Sequence, residues 1–356
     1  MRSSSCSQDD RIPLAKTALF ISLLLIIVSG FFVYSNTLDG KFIWDDYGLV
    51  EDNLYIRSPK YIPDIFAENI GSGAQNVYGF YQPFQILTYI LDYYFWKLNP
   101  FSYHLTNILF HILVTLSLYW FVFLISKDWF TSLISAIFFI IHPIHTEAVS
   151  YISGRAEILS CLFILSSCIF YIRFTQKKNI LYGILVLFSF IVSLLSKENA
   201  LVLPLLIGVY CYTFRKKVHK EILMPAVGII LVYIVIRSVF LDIHLPHRTI
   251  DTTSVERIPR FFSAIASYIG LLFLPFDLHM DYGSTIYSIS EPSVVLGLMT
   301  TLILLFSAFK IKERNRIVSF SIFFFFVGLL PVSNIYPINA YMAEHWLYLP
   351  SVGFFL

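Results

Sequence analysis

The sequence predicts an all-α polytopic membrane protein, a bundle of about ten transmembrane helices, and composition and hydropathy pattern both support this class. Of its 356 residues, 57% are hydrophobic and only 13% are charged, and the mean hydropathy is +0.72. Soluble domains carry about 25% charged residues. So little charge cannot cover a water-soluble globule, which excludes a soluble enzyme, a disordered chain and a nucleic-acid-binding module.

Ten apolar runs approach the length of about 17–25 residues that crosses a hydrocarbon core. The first is long for a signal peptide, so we interpret it as an uncleaved anchor. Two shorter runs are not expected to cross: residues 84–98, an amphipathic interfacial helix, and residues 261–274, a re-entrant or interfacial helix. The ten predicted spans cover 14–34, 104–125, 130–147, 156–173, 180–196, 200–214, 222–241, 291–309, 317–334 and a stretch that begins near Trp346.

The distribution of charge predicts the orientation of these spans, because basic residues collect in cytoplasmic loops. With the N-terminus in the cytoplasm, 15 of the 25 basic residues fall in short inside loops, and 18 of the 23 acidic residues fall outside. Residues 35–103 then form a long first outer loop. Every polar cluster described below falls on the outer face.

The first cluster is the carboxylate pair Asp45 and Asp46 in this outer loop. Adjacent carboxylates in an aromatic setting repel each other, and burial raises the pKa of at least one. Such a pair suits a general base, or a ligand for a divalent cation (Mg²⁺ or Mn²⁺) through Asp46. The alternative is a solvated turn that follows Asn36, Asp39 and Gly40.

The second cluster lies between the third and fourth spans and contains His142, His145, Glu147 and Arg155. The first three could bind a metal, although their spacing is not that of a zinc motif such as His-Glu-x-x-His. Arg155 could bind a phosphate through its planar guanidinium group. Interfacial anchoring and helix capping are the alternative interpretation.

The remaining clusters are shorter. Lys197 and Glu198 lie between two spans and could simply pair with each other. His104 could be a packing residue within its helix, and Asp281–Tyr282 is ambiguous for the same reason. A final aromatic stretch contains Glu344 and His345 and could be an interfacial belt. Together the clusters suit a cavity whose substrates are a lipid-linked donor and an aqueous acceptor.

Several motifs, taken in order, identify a family. The chain resembles the transmembrane and tetratricopeptide-repeat O-mannosyltransferases, which have the C-type glycosyltransferase (GT-C) fold. The HPIHTEAV…SGRAE block is the most specific of the shared motifs. These motifs are FIWDD…N (42–53), YQPFQILTY (81–89), YHLTNILFH (103–111), HPIHTEAVSYISGRAEILS (142–160), SKENALVLP (196–204), LPFDLHMDY (274–282) and LLPVSNIYP…AEHWLYLPSVGF (329–354).

The resemblance implies one GT-C-like domain over residues 1–356. It would transfer a sugar, most simply mannose, from a polyprenyl- or dolichyl-phosphate donor to a hydroxyl of a protein or glycan. Transfer would proceed with inversion on the outer or lumenal face, with membrane lipids and no nucleic acid as partners. The implied compartment is a bacterial inner membrane or the endoplasmic reticulum.

Site roles follow from the same resemblance. Asp45 and Asp46 would activate the acceptor, Arg155 and Lys197 would bind the donor phosphate, and a divalent cation would use Asp46. The residues expected to line the cavity are His104, His142, His145, Glu147, Glu198, Asp281, Tyr282, Glu344 and His345.

The sequence departs from the family pattern in three places. Gln82 and His345 stand where relatives usually carry Arg, and the chain ends at Leu356 inside its tenth span with no tetratricopeptide repeat. We therefore expect a truncated chain. A non-catalytic scaffold stays an alternative. A transporter is less favoured because no inverted repeat and few charges at span centres are present.

Overall fold

The computed structural model describes residues 8–240, 254–283, 285–334, 338 and 340–356. Arg2, residue 241 at the end of one predicted span, and residues 335–337 and 339 of the last motif lie outside the described residues. Within them every regular element is helical, as predicted.

The α-helices alternate with short 3₁₀ and π turns. They are α1 (Gln8–Tyr34), α2 (Ile62–Ala67), α3 (Pro83–Trp96), α4 (Pro100–Ser126), α5 (Trp129–Ile141), α6 (Thr146–Ser150), α7 (Arg155–Lys177), α8 (Ile180–Leu194), α9 (Leu203–Thr213), α10 (Lys220–Val235), α11 (Ser254–Phe273), α12 (Pro292–Ile311), α13 (Arg316–Leu329) and α14 (Pro350–Phe355).

Local signals explain where the longest helices begin and end. Asn99 caps α4 by accepting a hydrogen bond from the backbone N–H of Phe101 (3.2 Å), and Pro100 follows at the first helical position. Both are typical of a helix N-terminus. The helix ends at Lys127, which adopts the left-handed conformation common after helices.

Among the described residues, five helices are long and apolar enough to cross a membrane, and a sixth span results if α5 and α6, bent by 54°, are counted together. Three further apolar helices are shorter. The structure thus agrees with a polytopic helical membrane protein, but the predicted count of about ten spans is not confirmed. The five long helices are Thr17–Asp39, Pro100–Ser126, Ile152–Lys177, Lys220–Val239 and Pro292–Ile311.

The two runs not expected to cross are both helical. α3 is amphipathic: Ile86 and Tyr89 are buried, whereas Tyr94 and Phe95 are exposed. The second run is longer than predicted, because α11 begins at Ser254 and continues through Pro259, which we expected to precede the helix.

Tertiary contacts gather the polar loops at one end of the helices, which we call the first-loop end. The backbone N–H of Phe84, at the start of α3, donates to the carbonyl of Leu195 after α8 (3.0 Å). Arg237, after α10, donates to the carbonyl of Gly79 (3.2 Å). The first outer loop therefore packs on the ends of several helices.

The opposite end carries the basic loops. Arg215 pairs there with Glu313, joining the loop after α9 to the loop after α12. Lys178 Nζ lies 2.8 Å from His219 Nε2, joining the loops after α7 and α9. The basic loops thus lie at one end of the helices, and the first outer loop, which is rich in carboxylates, lies at the other.

Candidate functional site

The two adjacent aspartates at the first-loop end have different surroundings. Asp46 is fully buried. Its Oδ1 accepts hydrogen bonds from the backbone N–H (2.9 Å) and the hydroxyl (2.6 Å) of Ser153, and its Oδ2 accepts from the N–H of Ile43 (3.1 Å). The Asp45 side chain is exposed, while its backbone N–H donates to the Tyr151 hydroxyl (3.1 Å). Asp46 thus anchors the loop, and Asp45 carries its accessible carboxylate.

Burial raises the pKa of Asp46 to about 6, although the hydrogen bonds from Ser153 and Ile43 oppose the shift. Because both carboxylate oxygens already accept protein hydrogen bonds, Asp46 does not fit the role of a metal ligand. Nor do the described residues contain any group of three or more His, Cys, Asp or Glu side chains placed to hold a metal ion.

The raised pKa of Asp46 makes stability depend on pH. A carboxyl that binds its proton more tightly in the folded protein stabilises the fold at low pH, and this stabilisation is lost as the pH rises through about 6. We expect the difference in unfolding free energy between wild type and Asp46→Asn to fall by on the order of 3 kcal/mol from about pH 4 to pH 7. Denaturation of both proteins across this range measures it; parallel pH curves would contradict the assignment.

Residues 149–155, which we call the anchor segment, are held by side chains from two helices. Asn107 Nδ2, on α4, donates to the carbonyls of Val149 and Tyr151 (3.2 Å each). Gln85 Nε2, on α3, donates to the carbonyl of Ser153 (2.9 Å). Ser153, which binds Asp46, is therefore held in place by residues that are far from it in the sequence.

Arg155 ends the anchor segment and is fully buried. Its Nη1 donates to Asp92 Oδ2 (2.6 Å) and to Thr88 Oγ1 (3.0 Å). Its Nε donates to Asn107 Oδ1 (2.7 Å), and its Nη2 donates to the carbonyl of Tyr103 (3.0 Å). With four of its five N–H donors engaged and no exposed surface, Arg155 does not fit the predicted phosphate-binding role; it joins α7 to α3 and α4.

Lys197 remains partly exposed. Its Nζ lies 2.6 Å from Glu157 Oε1, and its side chain is 16% exposed. The other oxygen of Glu157 accepts from Asn199 Nδ2 (3.1 Å). The pair fixes the ammonium group at the first-loop end, and part of the Lys197 side chain stays exposed.

Arg237 is a second partly exposed cation, which the sequence interpretation did not assign to the site. Its Nη1 lies 3.0 Å from Glu198 Oε1, and its side chain is 19% exposed. Its Nη2 donates to the carbonyl of Gly79, and the preceding residue, Tyr78, lies so close to Gly48 that a Cβ there would clash with the Tyr78 hydroxyl. Residues 78–79 therefore link Arg237 to the loop segment that follows the aspartate pair. The available signal was a lone basic residue in an apolar span.

The final motif packs against α6. The backbone N–H of His345 donates to Glu147 Oε2 (2.8 Å), and the ring Nδ1 of His345 lies 2.7 Å from Glu147 Oε1. Glu344 accepts hydrogen bonds from the Tyr282 hydroxyl (2.6 Å) and the backbone N–H of His279 (2.5 Å). Burial raises the pKa of Glu344. These contacts form one surface, which we call the wall; it contains Glu147, Tyr282, Glu344 and His345.

Two predicted site residues, His142 and His145, contact other parts of the chain through their rings. His145 is fully buried, with Nε2 2.9 Å from the Ser351 hydroxyl. His142 Nε2 lies 3.2 Å from the carbonyl of Leu272. Both side chains therefore join segments of the chain.

Two further predicted residues have local contacts. His104 is buried and so close to Gly40 that a Cβ there would lie 2.6 Å from its Nε2. Asp281 is exposed, and its Oδ1 accepts from the N–H of Gly283 (2.8 Å). His104 thus explains the glycine at position 40, and Asp281 stabilises a turn.

No family model matches the chain, and no solved structure matches it. Among curated proteins, it is 29% identical to protein O-mannosyl-transferase F38B6.6 of Caenorhabditis elegans, covering 99% of this chain and 53% of that protein. It is 27% identical to human protein O-mannosyl-transferase TMTC3, covering 94% of this chain and 41% of that protein.

A third relative is human protein O-mannosyl-transferase TMTC4, at 25% identity over 90% of this chain and 52% of that protein. The chain thus spans about half the length of the curated relatives it matches. The relatives that match most of this chain are therefore protein O-mannosyl-transferases of the TMTC family.

Proposed function

We propose that this chain is a GT-C-type glycosyltransferase that moves mannose from a polyprenyl- or dolichyl-phosphate donor to a Ser or Thr hydroxyl of a protein, with inversion. The supporting observation is the accessible Asp45 carboxylate, presented by an anchored loop at the end of the helices that also carries Lys197 and Arg237. An exposed carboxylate at the same end as two partly exposed cations suits transfer from a phosphate-linked sugar.

In the proposed reaction Asp45 is the general base. As the acceptor oxygen forms its bond to the anomeric carbon of the sugar, its proton passes to the Asp45 carboxylate. The bond between that carbon and the phosphate oxygen breaks, and its electron pair leaves with the lipid phosphate. General-base assistance of this kind contributes typically ~10²–10⁴ in rate.

Lys197 and Arg237 are the proposed donor-phosphate residues. Each is partly exposed, and each is held in place by a glutamate carboxylate. Preorganised cations stabilise the charge that develops on the leaving phosphate. Asp46 and Arg155 act through the anchor segment as positioning residues.

The C-terminal motif forms the proposed wall of the cavity. Glu147 fixes both the backbone and the ring of His345, and Tyr282 fixes Glu344. His142 and His145 pack next to this wall, His104 packs under the first outer loop, and Glu198 holds Arg237. Asp281 is proposed to line the cavity as an exposed carboxylate.

The proposed orientation follows from the two ends. Basic loops such as the one that contains Arg215 face the cytoplasm, together with the N-terminus. The first-loop end then faces the lumen of the endoplasmic reticulum or the outer side of a bacterial inner membrane, where a lipid-linked donor meets an aqueous acceptor.

A transfer assay tests the proposed function. The protein is reconstituted in lipid nanodiscs and is supplied with labelled polyprenyl-phosphate mannose and a Ser/Thr-rich peptide. Labelled peptide is expected with this donor, with one lipid phosphate released per transfer. A nucleotide-linked mannose is expected to give none. Transfer from the nucleotide sugar alone, or from neither donor, would contradict the proposal, and donor binding without transfer would favour the scaffold alternative.

Removing a proposed phosphate-binding cation is expected to weaken donor binding. Arg237→Gln and Lys197→Gln should each raise the Kd for a polyprenyl phosphate by about 10- to 100-fold, because hydrogen bonds to charged groups contribute about 1.5–3 kcal/mol. Arg215→Gln, at the opposite end and also paired with a glutamate, is the matched control. Equal losses in Arg237→Gln and Arg215→Gln would contradict the assignment of Arg237.

A further inference from the structure

Trp44 has an unusual backbone conformation for its residue type. Its φ is +48°, in the left-handed region that bulky side chains rarely adopt. The other described non-glycine residues with positive φ either follow a helix, as Gln75, Lys97, Lys127, Lys178 and Arg215 do, or are the tolerant types Asp277 and Asn334. Trp44 instead precedes a helical turn, so neither explanation applies to it.

The neighbouring backbone is held by hydrogen bonds that do not involve the Trp44 side chain. Asp46 accepts from the N–H of Ile43 through Oδ2 and donates its own N–H to the Ile43 carbonyl (2.9 Å). The N–H of Asp45 donates to the Tyr151 hydroxyl. These contacts hold the backbone of Trp44 in the left-handed conformation. Backbone strain that is maintained in this way occurs mainly at functional sites.

The strained turn exposes an apolar surface beside Asp45. The Trp44 side chain is 61% exposed, and those of Ile43 and Tyr47 are 40% and 50% exposed. We call these three residues the 43–47 patch. The tryptophan is thus kept at a sterically unfavourable position without the packing that would reward burial of its indole ring.

We propose that the 43–47 patch binds an extended polypeptide segment, with the indole of Trp44 stacking on an apolar or prolyl residue next to the acceptor hydroxyl. This inference rests on the proposed function, because it takes Asp45 as the group that contacts the acceptor. Rigid aromatic side chains provide a large contact area at low entropic cost. The aliphatic side chain of Ile43 beside the two aromatic rings suits apolar peptide side chains, and the proposed acceptor is a protein.

The test uses residues that accept the backbone of position 44. Trp44→Gly and Trp44→Asn both tolerate positive φ but remove the indole. We expect each to raise the KM for a Ser/Thr peptide by about tenfold with little change in kcat, consistent with loss of one aromatic contact. The melting temperature should be unchanged or higher, and the affinity for polyprenyl phosphate unchanged. Trp44→Phe should retain part of the peptide affinity.

Trp96→Ala is the matched control, because Trp96 is also an exposed tryptophan of the first outer loop; it should leave the peptide KM unchanged. Binding is also measured with a peptide that carries Ala in place of the acceptor residue. Weaker binding of this inert peptide to Trp44→Gly would support the patch even if no transfer occurred, so failure of the two proposals is distinguishable.

Three results would overturn the inference. The first is an unchanged peptide KM and unchanged inert-peptide binding in Trp44→Gly and Trp44→Asn. The second is quenching of Trp44 fluorescence by brominated lipids, which would place the indole in the bilayer. The third is a loss confined to glycan acceptors.

Discussion

Replacing Arg155 with alanine is expected to prevent stable folding of the first-loop end. The substitution leaves the buried carboxylate of Asp92 without its cation, and removes the donors to Asn107 and to the carbonyl of Tyr103. Removing one member of a buried ion pair costs about 3–5 kcal/mol. The melting temperature and the protease resistance of residues 35–103 in lipid nanodiscs measure the effect.

A double variant separates pairing from packing. Arg155→Met together with Asp92→Leu removes both charges, and we expect it to recover much of the stability that Arg155→Ala loses. Arg215→Ala, which breaks the exposed pair with Glu313, should cost no more than about 1 kcal/mol. An Arg155→Ala protein that melts like wild type but loses donor binding would instead support direct phosphate binding by Arg155.

Replacing Asp45 with asparagine is expected to lower kcat for mannose transfer by ~10²–10⁴. The amide occupies nearly the same volume but cannot accept the proton of the acceptor hydroxyl. Because the side chain of Asp45 is exposed and its contact with Tyr151 uses the backbone N–H, the melting temperature and the donor affinity should not change.

Asp52→Asn is the matched control, since Asp52 is another exposed carboxylate of the same loop; its kcat should equal that of wild type. Asp46→Asn should instead change stability and its pH dependence, as the burial of Asp46 requires. If Asp45→Asn and Asp52→Asn had equal rates, Asp45 would not be the base.

The sequence predicted the helical class, because helix formation in apolar runs depends on local properties. Apolar runs identified the helices, whereas the orientation predicted from the charge of the loops stays a prediction. The number of spans was not confirmed, because hydropathy does not show where a helix ends. α9 and α13, for example, are shorter than the apolar runs that they overlap.

The partners of the site residues could not be predicted in the same way. Asp92 lies 63 residues from Arg155 in the sequence. No sequence pattern indicates that the amphipathic helix containing Asp92 packs against that arginine. Arg237 meets Gly79 across 158 residues. Hydropathy also cannot distinguish Asp45 from Asp46, since only tertiary contacts with Ser153 and Tyr151 bury one and expose the other.

The central claim, that Asp45 activates an acceptor for transfer from a lipid-phosphate sugar, is tested most directly by single-turnover transfer. Protein in nanodiscs is loaded with labelled polyprenyl-phosphate mannose and then mixed with saturating Ser/Thr peptide. We predict rapid labelling of the peptide by wild type, and a rate lower by ~10²–10⁴ for Asp45→Asn at equal donor occupancy. Equal single-turnover rates for the two proteins would contradict the claim.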